Sequence, residues 1–456
     1  MIEKYKFGQP LLATGAVVAD IPLAAGSLST GRIKSSWPFF YEHPLEKDDM
    51  VFGLGENVRG INKRGFTYTS WCSDIPGGSE NESSLYGAHN FIIIVNPASP
   101  QRTVGLFFDT PARITFDIGW TDQYLLSVTS ESDGLFLYVI KSDCSGSKAA
   151  PADILRQFRA AIGKSYIPPF WAFGYQQSRW GYKTAEDVRA VVAEHKKRGL
   201  PVDSVCLDID YMEQYKDFTV DSAKFPDFAA FNRELAEEGI HLVPIIDAGI
   251  KAQPGFGAYD EGVRQNAFCK KEDGSVFTAG VWPGKSAFTD FFDADARKWF
   301  GSKYKALTDS GVEGFWNDMN EPSLFYTDEG LQQAFRRVAA FQGKELDVDS
   351  FFQFTSQTGA VSCRLEDYKS FYHRIQQEDG SSRLVSHDRV HNMYGALMTK
   401  ASREGLDARH HADVPVRCRE RAGPGLHAAG RLPVQGDGPR TRGDSQKHSR
   451  LRRLPC

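Results

Sequence analysis

The chain has 456 residues, of which 41% are hydrophobic and 25% charged, with a formal net charge of −4. That balance fits a soluble globular protein of two or three domains, and it gives no reason to expect nucleic acid or an anionic membrane as partner. No stretch reaches the roughly 18 apolar residues of a membrane span, and the charged start Met1-Ile2-Glu3-Lys4-Tyr5-Lys6 leads into no apolar run, so no secretory leader is expected.

Residues 1–150 read as antiparallel β. Short β-rich runs at 91–95, 104–108, 113–116, 124–128 and 135–140 are punctuated by Gly, Pro, Asp and Ser, the pattern of a sandwich. From about 167 the rhythm changes. A strand is predicted over 170–176. A helix is predicted over 184–198, with Thr184 as N-cap, Asp187 three residues on, and Lys196, Lys197 and Arg198 in the last turn before Gly199. Then come a strand over 204–208, a helix over 228–238 closed by Gly239, and a strand over 241–247. A long loop precedes a helix over 294–309, closed by Gly311, and a strand over 312–318.

One unit therefore appears three times: helix, Gly, apolar strand, Asp. The Gly suits the left-handed residue that ends a helix. Alternating helices and apolar strands mean a parallel sheet. Three strands ending in Asp208, Asp247 and Asp318 argue for a (β/α) barrel with its site at the C-terminal face. A doubly wound open sheet is the alternative, but it would be marked by a glycine-rich phosphate loop after its first strand, and there is none. Residues 323–406 read as an insertion plus helix, with helical runs at 331–341 and 390–401.

At Asp407 the composition breaks. Residues 407–456 contain no Phe, Tyr, Trp, Ile, Met or Asn, but 10 Arg, 6 Gly and 5 Pro. The tail carries 11 Lys+Arg against 5 Asp+Glu, the body 43 against 53. Such a segment cannot bury enough apolar surface to offset chain entropy, so disorder is expected. One reading is a natural basic tail. The favoured reading is a frame shift near codon 406, since the missing residues have AT-rich codons and the abundant ones GC-rich codons. The 7 cysteines are scattered and odd in number, without CxxC or metal-ligand spacing, which suggests reduced thiols in a cytoplasm.

The most informative segment is Gly314-Phe315-Trp316-Asn317-Asp318-Met319-Asn320-Glu321-Pro322-Ser323. An apolar run ends in an Asp flanked by Trp316 and Met319, and Pro322-Ser323 then breaks the strand. The segment resembles the nucleophile block of glycoside hydrolase family 31, the retaining α-glucosidases and their relatives. The resemblance spans roughly residues 1–406. It also rests on Gly53-Leu54-Gly55-Glu56, Lys63-Arg64-Gly65, Trp71-Cys72-Ser73-Asp74, Leu85-Tyr86-Gly87, Arg179-Trp180-Gly181-Tyr182, Asp208-Ile209-Asp210-Tyr211-Met212, Ile245-Ile246-Asp247, Val281-Trp282-Pro283-Gly284 and His391-Asn392-Met393-Tyr394-Gly395.

The resemblance implies a retaining exo-acting α-glucosidase that takes terminal α-linked glucose from small oligosaccharides and needs no cofactor or metal. Asp318 would be the nucleophile, with Glu321 supporting it structurally. Asp208 would hold hydroxyls of the non-reducing sugar, and Asp74, otherwise a surface-turn residue, would bind the reducing-side sugar. Trp180, Ile245, Asp247, Trp282, Trp316 and Met319 would line the pocket. Retaining hydrolysis needs a second carboxylic acid about 5–5.5 Å from the nucleophile. The family's Trp-x-Gly-Asp-Asn block, which carries that acid, does not occur in this chain, and Asp413, Asp437 and Asp444 sit in unrelated surroundings. The expected fold is an N-terminal sandwich (1–150), the first half of a (β/α)8 barrel (151–406, about four strands) and an unrelated tail (407–456). The other functional reading is a truncated or sugar-binding protein without catalysis. A half barrel leaves an open edge and an uncovered apolar face, so poor folding, aggregation or assembly with another chain is expected, with the oligomeric state open.

Overall fold

The computed structural model describes residues 1–36, 38–75, 78–143, 149–359, 361–377, 380–413 and 433–435. The first ten strands are β1 (Ile2–Gly8), β2 (Arg32–Ser36), β3 (Phe39–Pro44), β4 (Met50–Gly53), β5 (Phe66–Ser70), β6 (Phe91–Val95), β7 (Val104–Asp109), β8 (Ile114–Ile118), β9 (Leu125–Ser130) and β10 (Gly134–Lys141). They form two five-stranded antiparallel sheets, ordered β1-β10-β7-β6-β4 and β2-β3-β9-β8-β5. The unbroken apolar run of β6 has a simple cause. Ile92 and Ile94 join the core between the sheets, with Phe108, Phe116 and Val128. Ile93 and Val95 face the other way, into a second core with Ile154 and Phe158 of helix α1 (Ala149–Ile162). Both faces of the strand are covered, so neither is polar.

The second half begins with β11 (Gln176–Ser178), α2 (Ala185–Lys197), β12 (Ser204–Leu207), α3 (Phe228–Glu237) and β13 (His241–Ile246). The helix boundaries follow their local chemistry. Thr184 and Asp187 form a complete capping box at α2. Gly199, Gly239 and Gly311 all have φ between 65° and 85°, and Leu200 N and Ile240 N donate back to His195 O and Leu235 O, the closure a left-handed residue permits.

The strand expected over 170–176 differs. Phe170–Phe173 is a 3-10 turn following Pro169, and the strand starts at Gln176. Tyr175 is tied to Asp203 first, its N–H donating to Asp203 Oδ2 and its carbonyl accepting from Asp203 N, both at 2.9 Å. The expected long loop contains β14 (Gly249–Lys251), α4 (Gly257–Arg264), β15 (Thr278–Val281) and β16 (Gly284–Phe288), with the three strands in one small antiparallel sheet. The helix expected over 294–309 is two pieces, α5 (Ala294–Lys303) and α6 (Lys305–Thr308), separated at Tyr304. The Tyr304 hydroxyl is fixed between Asn317 Oδ1 and Ser402 Oγ, each 2.6 Å away.

After β17 (Gly314–Asn317) come α7 (Asp328–Ala339), α8 (Val348–Gly359), α9 (Leu365–Lys369), β18 (Tyr372–Gln376), β19 (Ser382–Ser386), α10 (Tyr394–Asp413) and β20 (Pro433–Gln435). Strands β11, β12, β13 and β17 are parallel neighbours in that order. They are the four strands of an incomplete barrel. β20 runs antiparallel along β17, where a complete barrel would carry its next parallel strand. Helix α10 passes through the compositional break at Asp407 and ends at Asp413. The rest of the expected tail, 414–432 and 436–456, with Asp437 and Asp444, lies outside the described residues.

Candidate active site

Asp208, Asp247 and Asp318 each follow the last residue of a neighbouring strand: β12, β13 and β17. The register places Ile245 beside Trp316 and Ile246 beside Asn317, and Asp318 N continues the ladder by donating to Ile246 O at 3.1 Å. The sheet thus delivers the three carboxylates to one edge, the C-terminal face of the half barrel. Directly after Asp318, Met319 takes φ +55°, an uncommon conformation for a non-glycine residue that turns the chain away from the strand.

Asp247 is 2% exposed, and neither of its carboxylate oxygens has a hydrogen-bond partner. Its backbone N–H donates to Asp217 Oδ1 at 2.8 Å. Burial pushes the Asp247 carboxyl well above the usual range, and the charges of Asp217, Asp318, Asp208 and Glu321 push it further. Asp217 is also raised by burial, but the amide bond it accepts works the other way. Five carboxyl groups therefore converge here. Asp217 and its position were not expected: Gln214, Tyr215 and Phe218 all have positive φ, and this twisted loop folds Asp217 beneath Asp247.

Asp208 and Asp318 are partly exposed. Trp316 is 7% exposed, and its indole N–H donates to Leu207 O at 3.2 Å. Met319 is equally covered and Ile245 almost fully so, its carbonyl accepting from the Tyr211 hydroxyl at 2.9 Å. All three are buried side chains. The exposed aromatic surface lies elsewhere. Trp180 is 57% exposed and meets Trp282 edge-on at 5.1 Å, and Trp282 packs at 4.9 Å against Phe325, which the sequence did not single out.

The sandwich reaches this site through the loop after β5. Partly buried Asp74 accepts a hydrogen bond from Ser323 Oγ at 3.0 Å. The loop is clamped from the barrel side by Asn392. Its Oδ1 accepts from Cys72 N at 3.0 Å, and its Nδ2 donates to Ser70 O and Ala112 O at 3.1 and 3.2 Å. The His391-Asn392 segment, one of the motifs that carry the family resemblance, supplies this clamp.

The site is thus a half barrel with carboxylates at three neighbouring strand ends and a sandwich loop beside them. Residues 165–437 match the Glycosyl hydrolases family 31 TIM-barrel domain, and residues 35–117 match the Glycosyl hydrolase 31 N-terminal galactose mutarotase-like domain. The chain belongs to glycoside hydrolase family 31. Among curated relatives, alpha-glucosidase 2 of Bacillus thermoamyloliquefaciens is 34% identical over 364 residues, 79% of this chain and 40% of the relative. The alpha-glucosidase of Saccharolobus solfataricus is 31% identical, covering 62% of this chain and 39% of its own. Among solved structures, a glucosidase II alpha subunit aligns with TM-score 0.61 and 25% identity over 81% of this chain and 37% of its own. A family 31 dextranase of Flavobacterium johnsoniae aligns with TM-score 0.63 and 23% identity over 81% of this chain and 39% of its own. The chain thus spans about 40% of the length of these relatives.

Proposed function

We propose that this chain carries the nucleophile half of a retaining exo-α-glucosidase site, with 1–150 as sandwich, 151–406 as half barrel and 407–456 as a tail whose first part, to residue 437, falls within the family match. Asp318 attacks the anomeric carbon. The glycosidic oxygen leaves, and the sugar is held as an ester on Asp318 until water releases it. Asp208 holds hydroxyls of the non-reducing glucose, Asp74 meets the reducing-side sugar, and Trp180 and Trp282 give the ring an apolar wall. Trp316, Met319, Ile245 and buried Asp247 form the floor, and Glu321 supports it. The observation that carries this reading is the register of β13 and β17, which sets Asp318 level with Asp247 on the barrel face.

The substrate would be a small α-glucoside, with no cofactor. The described cysteines 72, 206, 269 and 363 are unpaired thiols, which supports a reducing compartment such as the cytoplasm. Among the described residues no helix is long and apolar enough to cross a membrane.

One observation favours a second reading, a sugar-binding protein without turnover: the segment that carries the family's acid/base does not occur in this sequence. General acid catalysis contributes about 10²–10⁴-fold, and a very good leaving group needs little of it. Turnover of a dinitrophenyl α-glucoside without turnover of maltose would establish a working nucleophile lacking its acid. Saturable glucose binding with neither turnover would establish the binder.

A further inference from the structure

A line of hydrogen bonds crosses the molecule below the site. Asp290 Oδ1 lies 2.9 Å from His373 Nδ1. His373 Nε2 lies 2.9 Å from His387 Nδ1, and His387 Nε2 lies 2.8 Å from His391 Nδ1. His391 Nε2 lies 2.7 Å from the carbonyl of Cys72. All three rings are fully buried and Asp290 is 1% exposed. No step of the proposed hydrolysis uses them.

The end of the line fixes its polarity. A carbonyl only accepts, so His391 Nε2 carries a proton and donates to Cys72 O. Burial pushes His391 down to about 3 and His387 well below the usual imidazole range, so both rings are neutral at pH 7. A neutral ring has one donor and one acceptor. His391 Nδ1 therefore accepts from His387 Nε2, and His387 Nδ1 accepts from His373 Nε2. If His373 were neutral too, its Nδ1 would present a lone pair to a carboxylate oxygen at 2.9 Å, two acceptors face to face. Asp290 Oδ2, meanwhile, accepts from Arg374 N at 2.9 Å and lies 3.5 Å from Arg374 Nε, so this oxygen serves as an acceptor.

We infer that this relay holds one proton more than three neutral imidazoles would carry, placed on the Asp290–His373 contact. The extra proton lies between Asp290 Oδ1 and His373 Nδ1, and the two neutral rings relay its direction to the sandwich loop. Cys269, Tyr394 and Tyr368 are the other titratable side chains against the rings. Cys269 stays a thiol, because burial pushes it well up, and it donates to Thr289 O. The relay gives the loop between β5 and β6 a directional anchor. His391 holds Cys72 by its N–H and Trp71 by stacking at 3.7 Å, two and three residues before Asp74. That positioning role rests on the reading of Asp74 as a sugar-binding residue, whereas the proton count does not.

Cys269, Asp290 and His373 also offer ligand atoms within 4.8 Å of one another, the spacing of a three-ligand metal site. Both ring nitrogens of His373 are already engaged, so the proton and an ion exclude each other. The test is solid-state nitrogen NMR of the full chain labelled with ¹⁵N-histidine, at neutral pH, with His373→Gln identifying that ring. The expected spectrum has His387 and His391 as neutral rings protonated at Nε2, and His373 protonated at both nitrogens. An Asp290→Asn chain, whose amide can donate to Nδ1, is expected to show His373 neutral, and the wild-type spectrum decides alone if that variant does not fold. Three neutral rings in the wild type, or one equivalent of zinc retained on the purified chain, would overturn the inference. Sugar turnover plays no part in this readout, so its outcome is separate from that of the functional reading.

Discussion

Ser323 Oγ donates to Asp74 Oδ2 at 3.0 Å, joining residues 249 positions apart. Ser323 ends the segment that contains Asp318, and Asp74 belongs to the sandwich loop. The two halves of the chain therefore meet at the site itself. The sandwich loop is tied to the barrel by Asn392 and by the His391 contact with Cys72 O.

If Asp318 is the proposed nucleophile, replacing it with Asn should remove turnover of a dinitrophenyl α-glucoside by at least about 10³-fold. The side chain is partly exposed and the swap nearly isosteric, so the unfolding midpoint should move little. Steady-state rates beside a thermal melt check both parts.

Asp247 should make stability fall with pH. Its folded pKa is raised, so the neutral form stabilises the fold fully below the unfolded value of about 3.9. That contribution is lost as pH rises toward the folded value. Asp247→Asn should therefore raise the melting temperature at pH 7, by on the order of 1–3 kcal/mol of stability, and the gain should shrink toward pH 4. Melts of both proteins across that range measure it.

Asn392→Ala should be strongly destabilising. It removes three buried hydrogen bonds and leaves Cys72 N, Ser70 O and Ala112 O without them. The expected loss is on the order of 3 kcal/mol or more, read from urea unfolding. A loss below about 1 kcal/mol would mean the loop is anchored elsewhere.

The open side of the half barrel should associate. β11 is the edge of its sheet, and the chain around it exposes Ile167 (80%), Phe170 (91%) and Phe173 (66%). Sedimentation velocity should show a concentration-dependent increase in mass. Phe170→Glu with Phe173→Glu should suppress it.

Much of this was legible because it is local. Gly199, Gly239 and Gly311 announce helix ends by their conformational freedom, and the apolar run ending at Asp318 announces a barrel strand. Strands of three to five residues, such as Gly249–Lys251 and Thr278–Val281, carry too few side chains for any period to show. Asp217 was invisible because a twisted loop without glycine places it. The histidine line was invisible because His373 and His387, 14 residues apart, become neighbours only when β18 and β19 pair.

The most direct test of the central claim is covalent capture with 5-fluoro-α-glucosyl fluoride, whose fluoride leaves without help from an acid. Peptide mass spectrometry after incubation should find one glycosyl ester, on Asp318. An unlabelled chain that binds glucose, or a label on Asp208, Asp247 or Glu321, would contradict the assignment of Asp318 as nucleophile.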